Sequence, residues 1–242
     1  MEYELKFSRY NEYSILIEWP AVVDENILKN ILLFKNHIQN KYAKQKVEII
    51  NAFNSILVVY GFTIDNINDE ILQLESLSRN KTNIKNLKPK LWKIPVCYDN
   101  DFGIDMDEFS IKKNLSKEEI IQLHSEASYM IYFIGFLPGF LYLGGLNKKL
   151  HLDRKSTPNL NVEKGAVGIG GNQTGIYPQN SPGGWHIIGK TPLEFFNPKT
   201  NPPTRFSAGD IIEFSPISKS EYLDLKHRID SGKYVLNPSI DA

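Results

Sequence analysis

Three histidines and two adjacent cations stand in or beside one glycine-rich run: His124, His151, His186, Arg154 and Lys155. An imidazole titrates near neutrality and can move protons. A guanidinium or ammonium can hold a carboxylate or phosphate. Their spacing assembles no self-sufficient catalytic set. There is no Ser-His-Asp order, no G-x-S-x-G elbow and no H-E-x-x-H helix. Each histidine taken alone therefore reads first as structural, and Arg154-Lys155 as solvated cations able to pair with an anion. The run itself is Gly165 to Gly175, GAVGIGGNQTG. Successive backbone N–H groups in turns form anion-binding nests. Yet the run lacks the Lys-Ser/Thr ending of a P-loop, and Gln173 stands where G-x-G-x-x-G needs its last glycine. Ligand contact and a glycine-rich turn inside a barrel are both open at this point. Ser181-Pro182-Gly183-Gly184-Trp185 reads as a rigid corner. Taken together, these features read as half of a site that a partner completes.

The wider stretch from Gly135 to Gly189 holds twelve of the 16 glycines, with Phe136, Phe140, Tyr142, Tyr177 and Trp185 between them. Glycine serves where φ is positive or where something must approach the main chain closely. The rest of the chain must position this surface. At 242 residues the length fits one to two domains. Lys+Arg and Asp+Glu both number 28, which gives no basic footprint for nucleic acid. Cys97 has no second cysteine to pair with and reads as a buried, inert thiol. No metal-ligand spacing is present; the acidic patch Asp99 to Asp107 lacks the D-x-[DN]-x-[DN]-G of a calcium loop. The N-terminus has no apolar signal core. Ala127 to Asn147 is uncharged and long enough to span a bilayer, but Gly135, Pro138, Gly139, Gly144 and Gly145 break any helix there. A strand–loop–strand segment is expected instead, in a soluble cytoplasmic protein.

The first ninety residues alternate strand and helix patterns. Tyr13 to Trp19 is β-rich; Asp24 starts a helix whose apolar residues from Ile27 to Ile38 follow helical spacing. Val47 to Phe53 and Ser55 to Tyr60 form a hairpin about Asn54, and Ile67 to Leu77 a second helix. Leu91 to Tyr98 is a further strand, which Pro95 places at an edge or bulge. This order, β-α-β-β-α-β, is the ferredoxin-like pattern. Asn80 to Lys90 is polar and reads as a linker, so an α/β domain over 1–88 is expected, then a second domain over 89–242. Asp105 with Glu108 and Ser116 with Glu119 are capping-box signatures for two short helices. After Tyr129, short β-rich runs (YMIYFIGF, GAVGIGG, WHIIG, EFF, DIIEFSP) alternate with Gly/Pro turns, as in a barrel or sandwich. Glu221 to Ile229 reads as a closing helix, and Asn237 to Ala242 as a fraying end.

Gly135-Phe136-Leu137-Pro138-Gly139-Phe140, the run from Gly165 to Pro178, Ser181 to Trp185 and Ile188-Gly189-Lys190-Thr191-Pro192 are long, ordered motifs. In them the chain resembles the allophanate hydrolase subunit 1 family, the carboxyltransferase-domain group that includes the 5-oxoprolinase B component and the sporulation-kinase inhibitor KipI. The resemblance extends from about Tyr13 to Pro216. It implies an α+β chain: a small α/β domain followed by a cyclophilin-like β-barrel. It also implies two partners, a homologous companion resembling the C component of 5-oxoprolinase and a ring-opening protein resembling its A component. With them come a lactam substrate and ATP with Mg shared among the chains, converting 5-oxoproline to glutamate. The alternatives within the family are inhibition of a histidine kinase and one half of a biotin-dependent urea or allophanate carboxyltransferase. By the same resemblance His124, Arg154 and Gln173 are the candidates for chemistry. Gly139, Phe140, His151, Gly170, Gly171, Thr174, Tyr177 and Trp185 are the candidates for binding substrate or nucleotide. The chain departs from the family at Leu141, at Asn159 and at Val162-Glu163, where proline, a second arginine and Val-Pro are usual.

Overall fold

The computed structural model describes residues 3–79 and 89–239. Two compact units divide the chain, Met1–Lys88 and Pro89–Ala242. Most of the expected linker, 80–88, and the last three residues of the expected fraying end lie outside the described residues. Among the described residues no helix is long and apolar enough to cross a membrane.

The first unit is a four-stranded antiparallel sheet with two helices. Its strands are β1 (Lys6–Asn11), β2 (Ser14–Glu18), β3 (Val47–Asn51) and β4 (Ser55–Tyr60), in the order β1-β2-β4-β3. Helix α1 (Glu25–Lys41) starts where Asp24 accepts the N–H groups of Asn26 and Ile27, and it buries Ile27, Leu28, Ile31, Phe34 and Ile38. Helix α2 (Ile67–Ser78) starts on Asn66 in the same way and buries Leu74. The expected strand order needs one correction. The sheet keeps ferredoxin-like neighbours, but its fourth strand is β1, at the start of the chain, not Leu91–Tyr98 at the end. Among the described residues β1 is an edge strand that pairs only with β2, and its residues are mostly exposed, so it carries no apolar alternation to read.

The displaced strand, β5 (Leu91–Cys97), belongs to the second unit. There β6 (Ser128–Ile134), β7 (Leu141–Gly144), β9 (Ala166–Gly170), β10 (Gln173–Ile176), β12 (His186–Lys190) and β13 (Ile211–Ile217) join it in a closed seven-stranded barrel, ordered β10-β7-β6-β13-β5-β12-β9. Inward positions alternate as closure demands: Trp92, Ile94 and Val96; Tyr129 and Ile131; Leu141 and Leu143; Val167 and Ile169; Ile212 and Phe214 are all buried in one core. β5 runs parallel to β13 along its whole length, whereas β12 meets it only at Lys190–Cys97. Pro95 therefore sits inside a closed barrel, beside a flank with little ladder to interrupt. A separate ribbon pairs β8 (Asn159–Val162) with β11 (Ser181–Gly183). Helices α3 (Met106–Lys113), α4 (Lys117–Ser125) and α5 (Lys219–Asp230) complete the unit. Ala127–Asn147 contains β6 and β7 with a turn between them, and Cys97 is buried.

Two local expectations change. Ser116 and Glu119 form their capping box, but Asp105 makes no cap bond on α3, because its carboxylate is engaged elsewhere. Glu194-Phe195-Phe196 joins no ladder; Phe195 is buried by stacking on Phe206.

Candidate functional site

β9 and β10 form a hairpin in which Gln173 faces Gly170 across the turn Gly171-Asn172, with Gly171 at φ 66°. Trp185 precedes β12 and lies against this hairpin. A Cβ on Gly170 would stand 2.5 Å from Trp185 Cδ1, and one on Gly175 3.0 Å from Trp185 Cζ3. Gly168, Gly170 and Gly175 are thus a floor for the indole ring, whereas Gly171 faces open space. Phe140 meets Trp185 edge-on at 5.4 Å and Tyr177 at 5.4 Å, and Tyr142 at 4.9 Å. The turn before it needs Gly139 at φ 86°, with Phe196 Cβ 2.6 Å from any added Cβ. Burial raises the Tyr177 and Tyr142 hydroxyl pKa values, opposed in both by the charge of Arg154.

Residues 151–155 cross this hairpin as a strap. Leu152 exchanges two backbone bonds with Gly171, at 3.0 and 2.7 Å. His186 Nε2 donates to the Asp153 carbonyl at 3.0 Å, and the Lys155 N–H to the Gly184 carbonyl at 2.7 Å. His151 Nε2 donates to the Leu146 carbonyl at 3.1 Å. Arg154 lies over the Trp185 ring, 5.6 Å from its centroid, with its side chain exposed. Among the described residues no carboxylate pairs with it. Lys155, in contrast, is not a solvated cation: its Nζ bonds the Asp105 carboxylate at 2.5 Å.

His124 is placed where the expected chemistry is out of reach. It is fully buried at the end of α4. The Thr174 hydroxyl donates to the Gly168 carbonyl at 3.0 Å, so it accepts from His124 Nε2–H at 2.9 Å. His124 Nδ1 then accepts from the Tyr98 hydroxyl at 2.8 Å. Phe214 stacks on the ring at 4.5 Å. Desolvation depresses the imidazole pKa to about 3, which keeps it neutral. A neutral ring with both nitrogens occupied and no exposure fastens a helix to the barrel; it does not reach a substrate. Burial also lowers the His186 imidazole pKa, and its Nδ1 has no hydrogen-bond partner.

The structure thus sets Arg154 over Trp185, with Phe140, Tyr177 and Gly170 packed beside that ring; Gln173 faces Gly170 across the hairpin, and His151 and Gly171 stand beside the strap. Gly139 shapes the turn behind Phe140. His124 and Thr174 lie deeper, inside the barrel. His151, Leu152, Asp153, Gly171 and Asn172 line an open concavity beside the strap. Tyr98, Asp105 and Tyr142 were not among the expected residues. Asp105 had the local signature of a cap, and its partner Ile187 is 82 positions away. Among the described residues no cluster of His, Cys, Asp or Glu is arranged to hold a metal ion; in the glycine run Trp185 occupies the space over Gly168, Gly170 and Gly175, and Gly171 stays open.

Comparison with known proteins gives this geometry a setting. The family model described as carboxyltransferase domain, subdomain C and D, matches residues 5–206. The B subunit of 5-oxoprolinase from Bacillus subtilis (strain 168) is 48% identical over 133 residues, a match that spans 55% of this chain and 55% of that protein. The B subunit of 5-oxoprolinase from Haemophilus influenzae is 35% identical over 204 residues, covering 84% of this chain and 94% of that protein. The crystal structure of the K. lactis urea amidolyase shares the fold, with a TM-score of 0.81 at 18% identity over 98% of this chain and 16% of that one.

Proposed function

The chain belongs to the family of the carboxyltransferase domain, subdomain C and D, and from that premise we propose that it is the B subunit of an ATP-dependent 5-oxoprolinase. The observation that carries this reading is the similarity to the Haemophilus influenzae protein, of which the match covers 94%. A companion of related fold and a ring-opening protein complete the enzyme, and together they convert 5-oxoproline to glutamate.

The chemistry explains why one chain is not enough. A lactam carbonyl is a poor electrophile, and phosphorylation of its oxygen by ATP supplies the missing leaving group. Because Trp185 covers Gly168, Gly170 and Gly175, we assign the nucleotide and its Mg chiefly to the companion subunits. This chain contributes the substrate face. Arg154, unpaired and exposed, binds the carboxylate of 5-oxoproline. Trp185, buried beneath Arg154, supports the guanidinium from below, and the Gln173 amide at the hairpin tip bonds the lactam N–H or carbonyl. His124 keeps the hairpin in place from inside the barrel.

The test is ATP hydrolysis by the three subunits mixed in stoichiometric amounts. 5-Oxoproline should stimulate hydrolysis only when this chain is present. Unstimulated hydrolysis in the complete mixture counts against the reading. Capture of a biotinylated protein by this chain, with carboxylation of an amide, would favour the carboxyltransferase-half alternative instead.

A further inference from the structure

The strap that carries Arg154 is tied down on both sides of it, and one of the ties runs to a buried acid. Leu152 is bonded to Gly171, Asp153 to His186, and the Lys155 backbone to Gly184. The Lys155 ammonium reaches inward to Asp105 Oδ1 at 2.5 Å. The other oxygen of Asp105 accepts the Ile187 N–H at 2.7 Å, and the Asp105 N–H donates to the Ile187 carbonyl at 2.9 Å. Ile187 is two residues beyond Trp185. One carboxylate thus anchors both the strap beneath Arg154 and the strand that carries the ring Arg154 covers. The pair is shielded, with 10% of the Asp105 side chain and 19% of the Lys155 side chain exposed, so water does little to weaken it. The nearest alternative acid, Glu108, is 4.0 Å from the ammonium and half-exposed.

We propose that Asp105, acting through Lys155, is a positioning residue that holds Arg154 over Trp185 in register for an anionic ligand group. The identity of that group as the 5-oxoproline carboxylate rests on the function proposed above; the positioning itself does not. An arginine displaced by an ångström loses much of its hold on an anion, an effect of about ten- to a hundredfold. The loss falls on binding, because Arg154 contacts a carboxylate that stays charged throughout the reaction.

Two variants separate positioning from folding. Asp105→Asn keeps an oxygen for the Ile187 N–H but removes the charge that holds Lys155. Lys155→Met removes the ammonium and leaves Asp105 on Ile187. In the isolated chain, amide hydrogen exchange at Leu152 and Lys155 should speed up by about tenfold in both variants, while Thr174 to Ile176 in β10 keep their wild-type rates. In the reconstituted complex, the KM for 5-oxoproline should rise by about tenfold with kcat within about twofold, and Lys155→Arg should restore most of the loss. Wild-type exchange at the strap in both variants overturns the proposal. So does a fall in kcat at unchanged KM, or a failure of Lys155→Arg to restore the KM. If the wild-type complex forms no glutamate, the functional reading fails on that result alone, and the exchange rates still decide whether Asp105 positions the strap.

Discussion

Gly170→Ala isolates the role of the glycine run as a seat for Trp185. Gly170 is not among the residues with positive φ, so alanine suits its backbone and only the added Cβ matters. That carbon would lie 2.5, 2.6 and 2.7 Å from Trp185 Cδ1, Nε1 and Cγ. Ordinary carbon contacts begin near 3.5 Å, so ring or hairpin must move by about 1 Å. The ring has little room to yield: it is 4% exposed and pinned by Phe140. Overpacking of this kind costs about 1–3 kcal/mol, which for a chain of this size lowers Tm by about 2–4 °C per kcal/mol. The decisive assay is a double-mutant cycle read by thermal or denaturant unfolding. In a Trp185→Ala background the same Gly170→Ala change meets empty space and should cost less than about 0.5 kcal/mol, giving a coupling of about 1–3 kcal/mol. An equal cost in both backgrounds would rule out the seat and return Gly170 to a backbone or ligand role.

The remaining predictions concern the two charged or titratable residues first expected to do chemistry. His124 has a folded pKa of about 3, below its ordinary 6.5. Its neutral burial costs no protonation energy above about pH 6.5, and the stability it accompanies is lost as pH falls toward 3, because the unfolded chain takes up a proton that the folded one refuses. The slope approaches about 1.4 kcal/mol per pH unit. Denaturant unfolding of wild type and His124→Gln at pH 7 and pH 4.5 should show a smaller acid loss in the variant; equal losses would contradict the assignment. His186 shares the direction of shift and remains in both proteins, so the difference reports His124 alone. Arg154→Ala should leave stability within about 0.5 kcal/mol of wild type, as its side chain is exposed and unpaired. It should raise the KM for 5-oxoproline in the complex by at least about tenfold, and an unchanged KM would remove Arg154 from the site.

What could be read from the chain beforehand followed the range of each signal. Helix α1 was legible from Asp24 and the spacing of Ile27, Ile31, Phe34 and Ile38, each within about one turn of the next. Barrel strands β6, β9, β12 and β13 were legible because glycine and proline punctuate them, whereas β10, QTGI, hidden in the glycine run, was not. β1 was not, since KFSRYN at an exposed edge has no buried face to impose alternation. β5 looked like the last strand of the first sheet because its partner β13 lies 120 positions away. The site split in the same way. The motifs named Arg154 and Trp185, which the fold stacks together, and Gln173, which faces Gly170 across the hairpin. They could not distinguish glycines that expose N–H groups from glycines that accommodate an indole, because only the folded hairpin lays Trp185 on Gly170 and Gly175. Nor could they separate a catalytic histidine from a buried one: His124 is defined by Tyr98 and Thr174, 26 and 50 positions off.

In the proposed function this chain supplies the substrate face of a 5-oxoprolinase and is inactive alone. The direct measurement is glutamate formed from 5-oxoproline and ATP by the two companion subunits, with and without this chain. ATP-dependent glutamate is expected only in the complete mixture, and none from the chain by itself. Equal glutamate formation in its absence, or none in its presence with all subunits folded and bound, would overturn the reading.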